Sequence, residues 1–96
     1  MFNDLDPLLH SQLRLSIVSI LMSVEEANFN FIKETTGATS GNISIQIKKL
    51  QEAGYIDVKK TFKNNYPNTV VSITDKGIEA FETYVNNLKQ YINPAQ

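Results

Sequence analysis

The chain has 96 residues, with nine basic and ten acidic side chains, 42% hydrophobic residues and neither cysteine nor tryptophan. Because a chain of this length buries only about 60 to 65% of its unfolded surface, we expect one small domain stabilised by self-association. The composition excludes disulfides and thiolate metal sites, and the short apolar runs exclude a membrane-spanning helix. An acidic N-terminal stretch predicts no signal peptide and therefore a cytoplasmic protein.

The charge is unevenly distributed along the chain. Residues 28–76 carry seven lysines against four carboxylates, a balance of +3, and the remaining residues carry two basic against six acidic side chains, a balance of −4. A basic middle between acidic ends indicates one surface that faces a polyanion. A solvated charged face is the alternative explanation of any single lysine pair.

The first predicted helix covers residues 8–23. Asp6 and Pro7 favour a start there, because aspartate caps free backbone donors and proline fits the first helical position. One apolar face of this helix carries Leu9, Leu13, Ile17, Ile20 and Val24, and the other carries Leu8, Leu15, Val18 and Met22. Because a small monomer covers only one of these faces, the second face predicts a partner.

A helix-turn-helix is predicted in the middle of the chain. A short helix over residues 30–36, with apolar contacts from Phe29, Phe31 and Ile32, is stopped by Gly37.

The next helix is predicted over residues 41–53, with Thr39 or Ser40 as its N-cap and Gly54 after its end. In a motif of this kind the second helix can enter a DNA major groove.

The periodicity changes from 3.6 to 2 after Gly54, which predicts two strands. The first run, residues 56–63, alternates Ile56, Val58 and Phe62 with polar residues, and the second covers residues 69–74. Asparagine and proline in residues 64–68 predict a turn, so the two strands form a hairpin, or wing, over about residues 56–73.

A long last helix is predicted over residues 75–92, capped by Thr74 and ended by Pro94. Its apolar stripe is wider than a small core needs, so we expect the first and last helices to form a homodimer interface. The predicted interface residues are Leu8, Leu15, Val18, Met22, Tyr84, Leu88, Tyr91 and Ile92.

This order of elements describes a mainly α domain with a small β-hairpin, a winged helix-turn-helix. The run Thr39 to Ile56, together with Lys60-Thr61-Phe62, Pro67-Asn68-Thr69 and Ile73-Thr74-Asp75-Lys76-Gly77, resembles the recognition helix, wing and post-wing motif of small MarR/ArsR-type regulators. The resemblance covers nearly the whole chain. It implies a homodimeric, DNA-binding transcriptional regulator with no separate effector domain. The cysteine motif of metal-sensing relatives is absent, and no metal or cofactor is expected.

The candidate DNA-binding residues lie on the third helix and the wing. On the helix, Ile43, Ile47 and Leu50 share an apolar face, and polar side chains occupy the opposite one. The candidates are Thr39, Ser40, Asn42, Ser44, Ile45, Gln46, Lys48, Lys49, Lys59, Lys60 and Lys63.

Different roles are expected within this set. Asn42, Ser44 and Gln46 can bond base edges, Ile45 can contact a thymine methyl group, and the lysines can neutralise phosphates. Related regulators often have histidine where this chain has Gln46, and a glutamine there favours A·T in a pseudo-palindromic site. An ordinary solvated face is the alternative for the helix, and protection of an exposed strand edge is the alternative for the wing lysines.

No residue pattern indicates catalysis. His10 is the only histidine, and no serine, threonine or carboxylate lies in a nucleophile elbow, a phosphate loop or a metal-binding spacing. We therefore expect a protein that is not an enzyme and whose partners are double-stranded DNA and a second copy of itself. A winged-helix protein-protein interaction module remains the alternative, because fold does not fix function.

Overall fold

Four helices and a three-stranded antiparallel sheet make up the computed structural model, which describes residues 2–92. The elements are α1 (Gln12–Ser23), β1 (Ala27–Asn28), α2 (Phe29–Thr36), α3 (Ser40–Glu52), β2 (Ile56–Lys63), β3 (Tyr66–Ile73) and α4 (Asp75–Ile92). The helix-turn-helix, the hairpin and the closing helix all occur in the predicted order. The winged helix-turn-helix fold is thereby confirmed.

The first helix begins later than predicted. Asp6 caps a separate turn, because its Oδ1 accepts a 2.9 Å hydrogen bond from the Leu8 amide and its carbonyl accepts a 2.9 Å bond from the His10 amide. The backbone is then extended at Ser11, and α1 starts at Gln12. The Asp6-Pro7 signal therefore produced a single turn instead of the start of the long helix.

The core lies where α1, α2, α3 and the sheet meet. Its buried side chains are Leu9, Ile17, Val18, Leu21, Ala27, Ile32, Ile43, Ile47, Leu50, Ile56, Val71 and Tyr84. Within α1 both Ile17 and Val18 are buried, although the sequence pattern placed them on different apolar faces. Because neighbouring elements surround α1, a helix that is apolar on several sides is largely satisfied within one chain.

Two predicted dimer contacts are wrong for this reason. Val18 is 0% exposed and Tyr84 is 4% exposed within the single chain. The Tyr84 hydroxyl lies 3.1 Å from Nδ1 of His10, so the lone histidine contacts α4 of its own chain. Of the predicted stripe on α1, Leu8 and Leu15 are half-buried and Met22 is exposed.

The sheet has the order β1, β3, β2. The short strand β1 was not predicted; Ala27 pairs with Val71 and Asn28 pairs with Val70. Asn28 also begins α2, because its Oδ1 accepts a 2.7 Å hydrogen bond from the Phe31 amide. Ala27 and Asn28 therefore connect the sheet to the helix-turn-helix.

The turn of the hairpin is shorter than predicted. It contains only Asn64 and Asn65, whose φ angles of 52° and 66° are both in the left-handed region. Two consecutive residues with positive φ form a tight hairpin turn, and asparagine adopts this conformation more readily than most residues. Pro67 consequently lies inside β3, opposite Phe62. Proline is accommodated there because β1 pairs with β3 only at Val70 and Val71, which leaves that edge of β3 open beside Pro67.

The last helix has the predicted bounds and cap. The Thr74 hydroxyl accepts a 3.0 Å bond from the Gly77 amide and donates a 2.6 Å bond to the Gly54 carbonyl. Pro94, the predicted stop, lies outside the described residues. Gly77 and Tyr84 are buried along this 18-residue helix, and Ala80, Phe81 and the predicted interface residue Leu88 pack against the core while staying partly exposed.

The N-terminal segment lies along one side of α4. The Asn3 amide donates 2.9 Å to Oε1 of Gln90, and the Asn3 carbonyl accepts a 3.0 Å bond from the Tyr91 hydroxyl. The Phe2 and Tyr91 rings are 4.9 Å apart. Part of the predicted Tyr91 surface is therefore covered by the same chain. Among residues 2–92, none of the helices has the length and apolar character needed to cross a membrane.

Candidate nucleic-acid interface

The helix α3 separates an apolar inner face from a polar outer face. Ile43, Ile47 and Leu50 are buried in the core, as predicted. The candidate residues exposed on the other side are Ser40, Asn42, Ser44, Ile45, Lys48 and Lys49. Because the inner face is fully used by packing, the outer face can contact a partner without disturbing the fold.

The start of α3 is fixed by its own turn. Oγ1 of Thr39 accepts a 3.2 Å hydrogen bond from the Asn42 amide, so Thr39 is the N-cap and Ser40 is the first helical residue. Gly37, with φ 73°, ends α2 two residues earlier, and its amide donates to the Lys33 carbonyl. The short connection holds α2 and α3 in a helix-turn-helix, with the first turn of α3 exposed.

The three wing lysines do not share one face. Alternate residues of a strand point to opposite sides of the sheet, so Lys60 shares a side with the core residue Ile56, whereas Lys59 and Lys63 lie on the other side. All three side chains are exposed. Since the helices pack on the side of Ile56, Lys60 is the wing lysine on the same side of the sheet as α3.

The distal part of the wing is aromatic as well as basic. Phe62 is 78% exposed and Tyr66 is 74% exposed. Phe62 was expected to continue the apolar face of β2 that begins at Ile56 and Val58. It is exposed instead because the hairpin extends past the core that covers Ile56.

Arg14 is the residue of this region that the sequence analysis missed. It lies on α1, half-buried, and its Nη1 donates a 2.6 Å hydrogen bond to Oε1 of Gln46 on α3. Its Nε donates a 2.6 Å bond to the Leu8 carbonyl. Arg14 is the one charged residue of α1, which signals that it has a partner within the fold, but the sequence does not identify a partner 32 positions away.

Gln46 is therefore not a free side chain on the outer face. It is half-buried, and its Nε2 donates a 2.9 Å bond to Oδ1 of Asn42 one helical turn earlier. Arg14, Gln46 and Asn42 form a continuous chain of hydrogen bonds, which we call the arginine-amide chain. It connects α1 to the exposed start of α3.

Within residues 2–92, no three histidine or acidic side chains lie close enough together to hold a metal ion. A separate cleft of about 480 Å³ lies between the N-terminal segment and α4, lined in part by Asp4, Asp6, Tyr55, Lys76 and Glu79. This cleft contains none of the predicted DNA-binding residues, so the polar face of α3 and the wing remain the candidate interface.

Two comparisons at or above 30% identity place the chain among known proteins. The uncharacterized protein MJ0432 of Methanocaldococcus jannaschii is 35% identical over 81 residues, which cover 84% of this chain and 88% of that protein. A transcriptional regulator homologue from Pyrococcus horikoshii OT3 is 30% identical, superimposes with a TM-score of 0.85, and is matched over 93% of this chain and 88% of that one.

More distant structures share the fold. Bacillus subtilis PadR, solved in complex with operator DNA, is 19% identical with a TM-score of 0.70, over 78% of this chain and 47% of that one. A MarR structure is 12% identical with a TM-score of 0.78, over 92% of this chain and 64% of that one. These structures confirm the resemblance to MarR-like winged-helix proteins at the level of the fold. The model of the family described as "Winged helix DNA-binding domain" matches residues 13–92, and the chain belongs to that family.

Proposed function

We propose that the protein is a homodimeric transcriptional regulator that binds double-stranded DNA with α3 in the major groove and the wing beside it. The observation that carries this proposal is the exposed polar face of α3, which includes Asn42, Ser44 and Lys48. The opposite face of α3 packs in the core, and the helix-turn-helix leaves the polar face open to a partner. Membership of a DNA-binding domain family supports the same function. The family and fold are those of transcriptional regulators, and no catalytic role is proposed.

Phosphate contacts are assigned to lysines at two places. Lys48 and Lys49 lie in the later turns of α3, and Lys60 lies on the α3 side of the wing. Base contacts are assigned to the first two turns of α3, where groove insertion brings side chains to base edges. Thr39 and Ser40 lie at the exposed start of the helix, where their hydroxyl groups are suited to hydrogen bonds with DNA backbone phosphates. Lys59 and Lys63 face the other side of the wing and contribute less in this arrangement.

The dimer is proposed to form through the outer faces of α1 and α4. A groove of about 200 Å³ between these helices is lined by Met22, Phe81, Glu82, Val85 and Asn86. Ile92, at the end of α4, is 74% exposed. The outer face of α4, which its own chain leaves exposed, would be stabilised by packing against a second copy, provided that the interface reaches about 1,200 to 2,000 Å² in total.

A two-fold dimer presents two copies of α3 to the duplex. The binding site is then a pseudo-palindrome whose half-site centres lie about 10 base pairs apart, or a multiple of one helical turn. Each protomer places one α3 and one wing on its half-site.

The test is fluorescence anisotropy with a labelled random duplex, measured from about 50 to 200 mM salt. We expect binding at low salt and a linear fall of log affinity with log salt concentration, because lysines displace counterions from phosphates. Binding that is absent at low salt contradicts the proposal.

A protein-protein interaction module is the second candidate function. Phe62 and Tyr66 at the distal wing are strongly exposed aromatic side chains, and such side chains fit a protein contact as well as a nucleic-acid contact. The random-duplex titration separates the two, since a protein-binding wing gives no salt-dependent affinity for DNA.

A further inference from the structure

The hairpin carries only positive charge. Residues 58–74 contain three lysines and no carboxylate, although the whole chain has ten acidic against nine basic residues. All three side chains, those of Lys59, Lys60 and Lys63, are exposed. Such a surface is complementary to phosphates, so its charge favours DNA over a protein as the partner of the exposed aromatic side chains at the tip of the wing.

Phe62 is the aromatic side chain of this tip on the α3 side. Residues that pair directly in an antiparallel ladder point to the same side of the sheet, and Phe62 pairs with Pro67. Because even numbers of positions separate Phe62 from Lys60 and from Ile56, all three side chains lie on the side where the helices pack. Tyr66, one position before Pro67, points to the opposite side.

The ring of Phe62 is free for an outside contact. It is 78% exposed, so its neighbour Pro67 covers only a small part of it. Lys60 lies two positions nearer the core on the same side of the sheet. An apolar tip with a lysine behind it matches a nucleic-acid groove, because a groove has bases on its floor and a row of phosphates along each wall.

The length of β2 suits the groove next to the one that α3 is proposed to enter. The strand leaves the core at Ile56, just after the end of α3, and Phe62 lies six positions further on, which is about 20 Å of strand. Half a turn of duplex, which separates the major groove from the neighbouring minor groove, is about 17 Å. With α3 in the major groove, the wing is therefore long enough to bring Phe62 to the adjacent minor groove.

We propose that Phe62 is a specificity-determining residue that enters the minor groove as an apolar wedge and selects an easily unstacked base step there. This inference rests on the proposed DNA-binding function. Apolar side chains such as phenylalanine and proline open base steps from the minor groove and bend the duplex. Pyrimidine–purine steps such as TA unstack most readily, so the preference falls on a step that α3 does not contact.

The test begins with selection of binding sites from a random duplex library by the full-length protein, and each half-site is expected to carry a TA or CA step outside the bases that α3 reads. Affinity is then measured for a duplex with a TA step at that place and for one with an uninterrupted A-tract. A·T and T·A pairs present the same acceptors in the minor groove, so hydrogen bonding there does not separate the two duplexes. A phenyl wedge favours TA, whereas lysine contacts favour the A-tract, whose minor groove is narrow and more negative.

Three variants assign the preference to one side chain. Wild type is expected to bind the TA duplex about fivefold or more tightly than the A-tract duplex, the usual effect of one unfavourable base pair. Phe62→Ala is expected to remove this preference and to keep the thermal midpoint and the salt slope, because the ring is exposed and uncharged. Phe62→Leu keeps an apolar wedge and is expected to keep most of the preference. Tyr66→Ala is the matched control, since Tyr66 is 74% exposed on the other side of the same tip, and it is expected to keep the wild-type ratio.

The fluorescent adenine analogue 2-aminopurine, placed at the selected step, gives a second measurement, because its emission rises when the base unstacks. Emission is expected to rise on binding of wild type and to stay low with Phe62→Ala. An equal rise with both proteins contradicts the wedge.

The outcomes separate this inference from the proposed function. An A-tract preference in wild type, or a TA preference that persists in Phe62→Ala, overturns the wedge and leaves the DNA-binding function intact. A loss of preference in Tyr66→Ala as large as that in Phe62→Ala also overturns it. A wild-type protein that binds no duplex at low salt overturns the proposed function and this inference with it, and assigns the aromatic tip to a protein partner.

Discussion

The hydroxyl of Tyr55, just after α3, donates a 2.5 Å hydrogen bond to Oδ2 of Asp6, 49 residues earlier in the chain. This bond attaches the N-terminal segment to the turn between α3 and the wing. Burial of the phenol, together with the hydrogen bond to Asp6 and its negative charge, raises the pKa of Tyr55 to about 12. Each of these causes favours the protonated phenol.

We expect one tyrosine to titrate near pH 12 in the folded protein. The chain has four tyrosines and no tryptophan, so phenolate absorbance at 295 nm reports tyrosine without indole interference. Tyr55→Phe is expected to remove this step near pH 12. A variant that still shows the late step contradicts this assignment.

The same shift predicts how stability depends on pH. Between pH 10 and pH 12 the unfolded chain releases the Tyr55 proton while the folded chain retains it, so the free energy of unfolding falls as pH rises. The contribution is fully present below pH 10. Urea unfolding at pH 9 and pH 11.5 measures this, and the decrease is expected to be smaller in Tyr55→Phe than in wild type.

Gly77→Ala should destabilise the fold. A Cβ at Gly77 would lie 2.2 Å from the Tyr55 carbonyl oxygen and 2.8 Å from Cγ1 of Ile73. Overpacking of this kind costs about 1 to 3 kcal/mol, and here the closest atom is backbone. Gly41→Ala is the control, because a Cβ there meets nothing within 4 Å and alanine favours the helix by up to about 1 kcal/mol. The urea midpoint is expected to fall in Gly77→Ala and to rise in Gly41→Ala. An unchanged midpoint in Gly77→Ala would contradict the close packing.

Val85→Asp should separate the proposed dimer. Val85 lines the groove with Met22 and Phe81, and a carboxylate there would be desolvated on association. Sedimentation velocity at micromolar concentration is expected to show a wild-type dimer and a folded Val85→Asp monomer. Asn30→Asp adds the same charge at the exposed first turn of α2 and is expected to remain dimeric. A wild-type monomer under these conditions contradicts the proposed interface.

The double variant Lys48→Ala and Lys49→Ala should weaken DNA binding alike for all sequences. Each phosphate contact contributes about 0.9 to the log-log salt slope, and each is counted twice in a symmetric dimer. The slope of the double variant is therefore expected to be smaller in magnitude, with the selected motif unchanged. Lys89→Ala on α4 is the matched charge control. An unchanged slope in the double variant would place the phosphate contacts elsewhere.

Local signals predicted most of the fold. The stop at Gly37 and the bounds of α4 after Thr74 depend on neighbouring residues, and both are confirmed. The sequence left the N-cap of α3 open between Thr39 and Ser40, and the structure has Thr39. The start of α1 was predicted wrongly because Asp6 caps a single turn as readily as a helix. The two-residue strand β1 is too short to produce any periodicity, and its pairing with Val70 and Val71 defines it.

The candidate site was predictable in composition but not in its internal bonding. The buried face of α3 follows from the spacing of Ile43, Ile47 and Leu50, so the exposed face follows too. The contact of Gln46 with Arg14 depends on how α1 crosses α3, which no local pattern encodes. Val18 was assigned to the wrong surface for a similar reason, since a helical wheel does not show how many elements surround a helix.

Because the turn at Asn64 and Asn65 is tight, the number of residues in each strand decides which side chains lie on each face of the wing. Lys63 pairs with Tyr66 directly across the turn, and every pair back to Ile56 and Ile73 follows from that register. Inserting or deleting one residue in a strand would move the side chains beyond it to the opposite face. Lys60 would then leave the α3 side of the sheet, and Lys59 would replace it. Natural variation in this hairpin is therefore expected to add or remove two residues at a time within a strand, which keeps the faces unchanged.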